Sequence, residues 1–491
     1  MTDRLSLKTL DRLPGEVRRP SYDISSLGKG MVHLGVGAFH RAHQAVFTDD
    51  AIEAAGGDWG VTGISLRSPT AENQLAAQDG LFSVGTRAYT DESYRIIGNM
   101  REIITAPNDP AKALNALVQR NVSVVTLTIT EKGYGLDPAT GELSADHADI
   151  AHDLKMPKMP KTALGYLAKA LELRREAGIT PFTIVSCDNL PSNGKRLASA
   201  LAQFARAVSS DFGKFVAGEV ACPETMIDRI VPATTDDDRA RVEAALGLRD
   251  EAYVKTEPFM QWVIEDRFTG PRPAWEEAGA MLVSEVAPYE NAKLRLLNGP
   301  HSAIAYLGYL SGHEFVHDVM ADETLGAFVE KLMDEEIAPT LEEPAGMALS
   351  AYAEELRSRF RNTALQHRTW QIAMDGSQKL PQRLLHTIHD RLESGQPFTR
   401  LATAVAAWIV YAGGKTPDDA DIDVRDPLSE RFAQLRREAD GDADFLLGSF
   451  LAVKEVFGED LAENPDFRKA VARPLNTILA KGSRAAAAEA S

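Results

Sequence analysis

Cysteine is nearly absent from this chain: Cys187 and Cys222 are the two thiols in 491 residues. Two thiols cannot frame a disulfide scaffold for so long a polypeptide, and they lack the Cys-x-x-Cys spacing of a metal site. Positive charge is also in deficit. Lys and Arg number 53 against 71 Asp and Glu, a formal net charge of −18, so the surface repels a phosphate backbone and nucleic acid is not an expected partner. No apolar run reaches the roughly 18 residues of a membrane span. The first eight residues, Met1 to Lys8, carry charges where a signal peptide would be apolar. No repeat of fixed period occurs, and the one low-complexity stretch, Arg484 to Ser491, reads as a frayed helix end. These absences point to a reduced, cytoplasmic protein with no membrane partner.

What is present is an ordinary globular mixture, 44% hydrophobic and 25% charged. The length exceeds that of a single core, so two domains are expected. Met31 to Leu34 is a short apolar run ending at Gly35 and Gly37, and a helical stretch from Ala38 to Ala55 follows it. Trp59 to Arg67 then reads as a second strand, completing a β-α-β unit. Val122 to Thr130 and Phe182 to Cys187 are further β-branched runs, with a helical pattern from Ala163 to Ala177 before the latter. This alternation predicts an α/β fold with a doubly wound, mostly parallel sheet over residues 1–285. Beyond that, helical patterns dominate (Leu325 to Met333, Leu349 to Phe360, Leu401 to Tyr411, Asp444 to Val456), predicting a mainly helical domain over 286–491.

Gly35-Val-Gly-Ala-Phe39 stands where a dinucleotide-binding turn belongs, after a strand and at the start of a helix. Gly35 permits the tight turn, while Gly37, Ala38 and Phe39 open a helix whose N–H groups can face a pyrophosphate. The third glycine of the usual fingerprint is His40, so a simple strand-to-helix turn is the competing reading. At the end of the second strand an acid would mark NAD preference. Leu66-Arg-Ser-Pro-Thr70 has none, and Arg67 could meet the 2′-phosphate of NADP. NAD is the expected cofactor, with NADP open and no metal expected.

Lys293, Asn298 and His301 lie at offsets of zero, five and eight, which on an ideal helix spans an arc of roughly 140° and a rise of about 12 Å. Convergence then needs a bend, for which Pro300 supplies a reason. Hydride transfer at a secondary alcohol requires a base for the hydroxyl proton and donors for the alkoxide. A lysine in a partly desolvated site can be the base, and amide side chains can be the donors. Asn298 and Asn189, the latter just after a predicted parallel strand, are the donor candidates; His301 could orient hydroxyls and Glu290 could pass a proton to water. Singly, each has a plainer explanation: a solvated lysine, a core histidine, a helix cap.

Together with His33-Leu-Gly-Val-Gly-Ala-Phe-His-Arg-Ala-His-Gln44, Thr128-Ile-Thr-Glu-Lys-Gly133, Ser186-Cys-Asp-Asn-Leu-Pro191, Asp228-Arg-Ile-Val-Pro232 and Gln261 to Asp266, the stretch Lys293 to His301 resembles the mannitol dehydrogenase family of long-chain polyol dehydrogenases. The resemblance implies a Rossmann-type N-terminal domain, a helical C-terminal domain, no metal, and Lys293 as general base. It further implies Asn189 and Asn298 as alkoxide donors, His301 as a substrate ligand and Glu290 on the proton exit route. Thr130, Glu131 and Asp228 fall on the cofactor side. The segment His367 to Arg383 is more similar to the fructuronate reductase, or mannonate oxidoreductase, branch, since mannitol enzymes carry arginine where Gln371 stands. A uronate carboxylate suits a planar guanidinium, and Arg368, Lys379 and Arg383 are the candidates to bind it. The expected activity is reversible reduction of fructuronate to mannonate. The alternatives are a neutral polyol dehydrogenase acting on mannitol or arabinitol, and a nicotinamide-binding relative without turnover.

Overall fold

The computed structural model describes residues 2–89, 91–137, 140–144 and 146–490. The chain divides into two compact units, Met1–Ala287 and Pro288–Ser491.

The N-terminal unit is built on five parallel strands in the spatial order Met100–Thr105, Val61–Ser65, Met31–Leu34, Val124–Leu127, Thr183–Ser186. Numbered along the chain this is 3-2-1-4-5, the Rossmann order. Successive side chains of a strand point to opposite faces, and the buried strand residues divide between two apolar clusters with that period. Val32, Leu34, Val125, Leu127 and Ile184 join one apolar cluster with Leu117, Leu167 and Leu201 from the helices Pro110–Val118, Ala163–Glu176 and Asn193–Val208. Met31, Val124 and Val185 join another with Val46 and Phe47 of the helix Gln44–Ala55. Apolar runs rather than alternating ones are what a sheet covered on both faces requires.

Two small sheets are additions to the sequence reading. One holds Asp91–Ile97, Phe82–Ala88 and Val254–Thr256, the other Met281–Val283, Gln261–Glu265 and Thr225–Asp228. The strand Asp91–Ile97 begins Asp-Glu-Ser-Tyr-Arg and is half solvated, so it offers no apolar pattern to read. The helix expected over Ala38 to Ala55 is broken at His43 (φ −125°, ψ −84°) into Ala38–Ala42 and Gln44–Ala55.

The C-terminal unit is helical, with no strand ladder among the described residues. At its centre runs Thr399–Ala412, in which every residue from Arg400 to Ala412 is buried; a helix apolar all round belongs in a core. Trp408 packs edge-on against Phe432 and Phe450. The tail is not frayed: Ser483–Ala490 is a helix that buries Ser483, Ala486 and Ala487, and Ser483 Oγ donates to Leu307 O at 3.1 Å. Small residues let it lie close, which composition alone did not reveal. No helix among the described residues is long and apolar enough to cross a membrane.

Candidate active site

In the N-terminal unit the sheet order reverses between Met31–Leu34 and Val124–Leu127, and in such sheets ligands bind outside the carboxyl ends of the strands at that point. Gly35 occupies one strand end with φ +94°. A Cβ there would stand 2.1 Å from Thr128 O, so glycine is required by both conformation and space. Gly35→Ala should destabilise the unit by roughly 2–4 kcal/mol, seen as a lower urea midpoint; an unchanged midpoint would show that the turn yields freely. Below the turn His33 is fully buried, which pushes its imidazole down to about 3 and keeps it neutral. Its Nε2–H donates to Gly35 O at 3.1 Å and its Nδ1 lies 2.8 Å from Thr126 Oγ1. Thr128 Oγ1 donates to the same Gly35 carbonyl at 2.8 Å.

Gly37 caps the helix Ala38–Ala42 in an extended conformation. A Cβ on it would meet nothing nearer than Gly35 O at 3.8 Å, so its open side is available to a ligand. Ala38 and Phe39 are half-buried, and Phe39 stacks on His43 at 5.1 Å. Arg67 is exposed just past the second strand. Asp228 is buried at the end of Thr225–Asp228. Asn189 is exposed in the loop after Thr183–Ser186. The side chain of Glu131 lies outside the described residues.

Thr130 has φ +65° and ψ 165°, a conformation nearly reserved for glycine and costing about 1–3 kcal/mol elsewhere. It is held by Asp188, whose Oδ1 accepts the Thr130 N–H at 2.9 Å. One feature of the sequence points to Asp188, its position just after the parallel strand Thr183–Ser186, and none points to Asn193. Its Nδ2 donates to Asp188 O and Thr225 O, both at 3.0 Å, tying the Asn189 loop to the strand that ends in Asp228. Gly35, Gly37 and the Thr130 loop thus place a tight turn, an open stretch of backbone and polar groups at neighbouring strand ends.

The helix Ala287–Ala292 passes into a π-helical segment of the C-terminal unit, Lys293–Asn298, and then into Gly299–Leu310. The cause is local. Pro300 has no N–H to offer Leu296 O, and its ring collides with the carbonyl four residues back, while Gly299 N–H bonds Leu294 O, five residues back. The ideal helix with a proline bend expected from the sequence is therefore replaced by a π turn. An i→i+5 turn brings residues five apart toward one face, whereas an α-helix would separate Lys293 and Asn298 by about 140°. Lys293 is 7% exposed. Glu290, one turn earlier, is half-buried.

His301 is buried, lies 4.6 Å from the Phe360 ring and meets His367 edge-on at 5.3 Å. Its Nε2 has no hydrogen-bond partner among the described residues. Burial, aided by His367, Arg383 and Arg359, drives its imidazole well below the usual histidine range, so it is a neutral donor or acceptor. Arg383 arrives through a second π segment, Pro381–Leu385. Gly299 admits it: a Cβ there would be 2.9 Å from Arg383 O. The Arg383 guanidinium donates to Ser302 Oγ at 3.3 Å, and no carboxylate pairs with it among the described residues. Lys379 donates to the carbonyls of Ile372 and Met374; burial, then the Arg383 charge, lowers it to about 8. Arg368 is engaged elsewhere, 2.8 Å from Glu314 and over the Phe315 ring. The structure therefore brings Arg383 and Lys379 together, and His367 is a site neighbour that the sequence did not single out. Among the described residues His389, Asp390 and Glu393 have donor atoms within reach of one ion, although Asp390 is already paired with Arg295.

Residues 29–277 match the family described as the mannitol dehydrogenase Rossmann domain, and residues 285–479 the mannitol dehydrogenase C-terminal domain. The chain belongs to the mannitol dehydrogenase family. As a member of that family it is an oxidoreductase. It is 44% identical over 476 residues to the uncharacterized oxidoreductase YeiQ of Escherichia coli (strain K12), covering 96% of this chain and 97% of that one. It is 41% identical over 472 residues to the D-mannonate oxidoreductase of the same organism, covering 95% and 97%. The solved mannitol 2-dehydrogenase of Pseudomonas fluorescens, a ternary complex with NAD and D-mannitol, aligns with a TM-score of 0.86 and 36% identity, covering 99% of each chain.

Proposed function

We propose that this protein is an NAD(H)-dependent oxidoreductase that interconverts fructuronate and mannonate. The observation that carries the substrate choice is Arg383: a guanidinium beside His301 whose hydrogen bond goes to Ser302 and which no described carboxylate neutralises. A buried or half-buried cation without an acid partner is costly unless an anion arrives to pair with it. The carboxylate of a hexonate is such an anion. Lys379 adds a second cation near Arg383. The similarity to D-mannonate oxidoreductase supports the same choice. The similarity to a mannitol 2-dehydrogenase bound to D-mannitol favours the second reading, a neutral polyol substrate.

When bound, the nicotinamide supplies or accepts the hydride. Gly35, Gly37, Ala38 and Phe39 would hold its pyrophosphate at the opening of the helix, with Thr130, Glu131 and Asp228 along the strand ends and Arg67 toward the adenosine ribose. In the reducing direction Lys293 gives a proton to the oxygen of the former keto group. In the oxidising direction it takes that proton from the hydroxyl, and Glu290 passes it on to water. Amide N–H groups of Asn298 and Asn189 stabilise the alkoxide as charge develops. The Nε2 of His301, neutral and without a hydrogen-bond partner among the described residues, orients a substrate hydroxyl.

Steady-state rates with fructuronate, mannonate, fructose and mannitol, each with both cofactors, test the reading; preference for fructose over fructuronate overturns it. The same assay carries a pH signature. Lys379 is charged below about 8 and neutral above, so KM for fructuronate should rise as pH passes 8 while KM for fructose changes little.

A further inference from the structure

Asp188 is a buried carboxylate, 7% exposed, one peptide before Asn189. It accepts three hydrogen bonds: Thr130 N–H on Oδ1 at 2.9 Å, Ile129 N–H on Oδ2 at 3.2 Å and the Tyr134 hydroxyl on Oδ2 at 2.7 Å. The strand Val124–Leu127 has ended before Ile129, so neither amide belongs to the sheet ladder. Left to itself a β-branched residue would leave φ +65° for the extended region. Thr130 does not, and the contact that holds its amide is Asp188. The opposite end of the clamp is equally fixed: Asn193 Nδ2 anchors Asp188 O, and Thr225 Oγ1 donates to Ser186 O at 2.6 Å.

We propose that Asp188 is a positioning residue, a carboxylate clamp that keeps the Ile129–Thr130 loop in the shape that receives the nicotinamide nucleotide and fixes that loop relative to Asn189. The proposal rests on the reading that Thr130 lies on the cofactor side. Asparagine at 188 keeps the volume but turns one acceptor into a donor facing an N–H or O–H. Thr130 can then relax, and binding NADH must restore a conformation that threonine resists. Glycine at 130 adopts φ +65° without that resistance, so it should compensate for the lost clamp.

The measurement is NADH affinity by fluorescence titration, with hydrogen exchange across residues 128–134 in the full-length protein. Asp188→Asn should raise the Kd for NADH about 10- to 100-fold and speed exchange at Ile129 and Thr130. Adding Thr130→Gly should bring the Kd back to within about threefold of wild type. A wild-type Kd in Asp188→Asn, or a double variant that binds no better than Asp188→Asn, overturns the clamp. If NADH gives no exchange protection at residues 128–134 of the wild-type protein, the cofactor-side reading of the loop fails instead, and the clamp with it. Should Asp188→Asn not fold, Tyr134→Phe removes one donor from the carboxylate and spares both amides. A Kd raised about threefold, and restored by Thr130→Gly, then supports the clamp; an unchanged Kd overturns it.

Discussion

Lys293→Ala should lower kcat by about 10²–10⁴-fold, the usual contribution of a positioned general base, while the Kd for NADH stays within about twofold of wild type. The separation follows from where the residue sits. Lys293 belongs to the π turn of the C-terminal unit, whereas the glycine turn and the strand-end loops that would hold the dinucleotide belong to the N-terminal unit. Small primary amines added to the alanine variant should restore part of the turnover, because they replace the missing base without altering anything else. Full turnover in the variant would remove lysine from the mechanism. Absence of turnover with every substrate in the wild-type protein, with NADH binding intact, would favour the relative without catalysis.

The elements that were legible in the sequence are those whose signal is periodic. Apolar runs at Met31–Leu34, Val124–Leu127 and Thr183–Ser186 mark strands covered on both faces, and the glycines after the first of them mark the crevice at the sheet's turning point. What escaped has no periodic signature. The strand Asp91–Ile97 is half solvated and polar. The π turn depends on one missing N–H at Pro300 and on the Gly299 bond to Leu294 O, a change of hydrogen-bond register that a pattern of apolar residues does not encode. The choice among Arg368, Lys379 and Arg383 turned on tertiary neighbours. Arg368 met an acid at Glu314, while Arg383 met Ser302 and the His301 ring environment, with Gly299 clearing the way for its backbone. The clamp at Asp188 was hidden for the opposite reason. Two of its three partners are backbone amides of a loop, and such partners have no sequence identity to recognise.

Arg383→Leu is the change that should separate the two substrate classes. A hydrogen bond to a charged group is worth about 1.5–3 kcal/mol, and a guanidinium offers a carboxylate two of them in parallel. With part of that strength retained through Lys379, the loss in kcat/KM for fructuronate should be about 10²–10³-fold, at about 1.4 kcal/mol per decade. Fructose has no carboxylate, so its smaller kcat/KM should change by less than about threefold. The ratio between the two substrates is the decisive quantity, because a distortion of the helix around Ser302 would depress both alike. Arg383→Lys refines the test. It keeps the charge but loses the planar fork, so it should recover part of the fructuronate rate and leave a raised KM. Equal losses on both substrates in Arg383→Leu would make Arg383 a structural cation, and the neutral polyol would become the better reading of the site. A selective loss would tie the anion preference to a residue that reaches its place because glycine stands at 299 and a π turn carries it there.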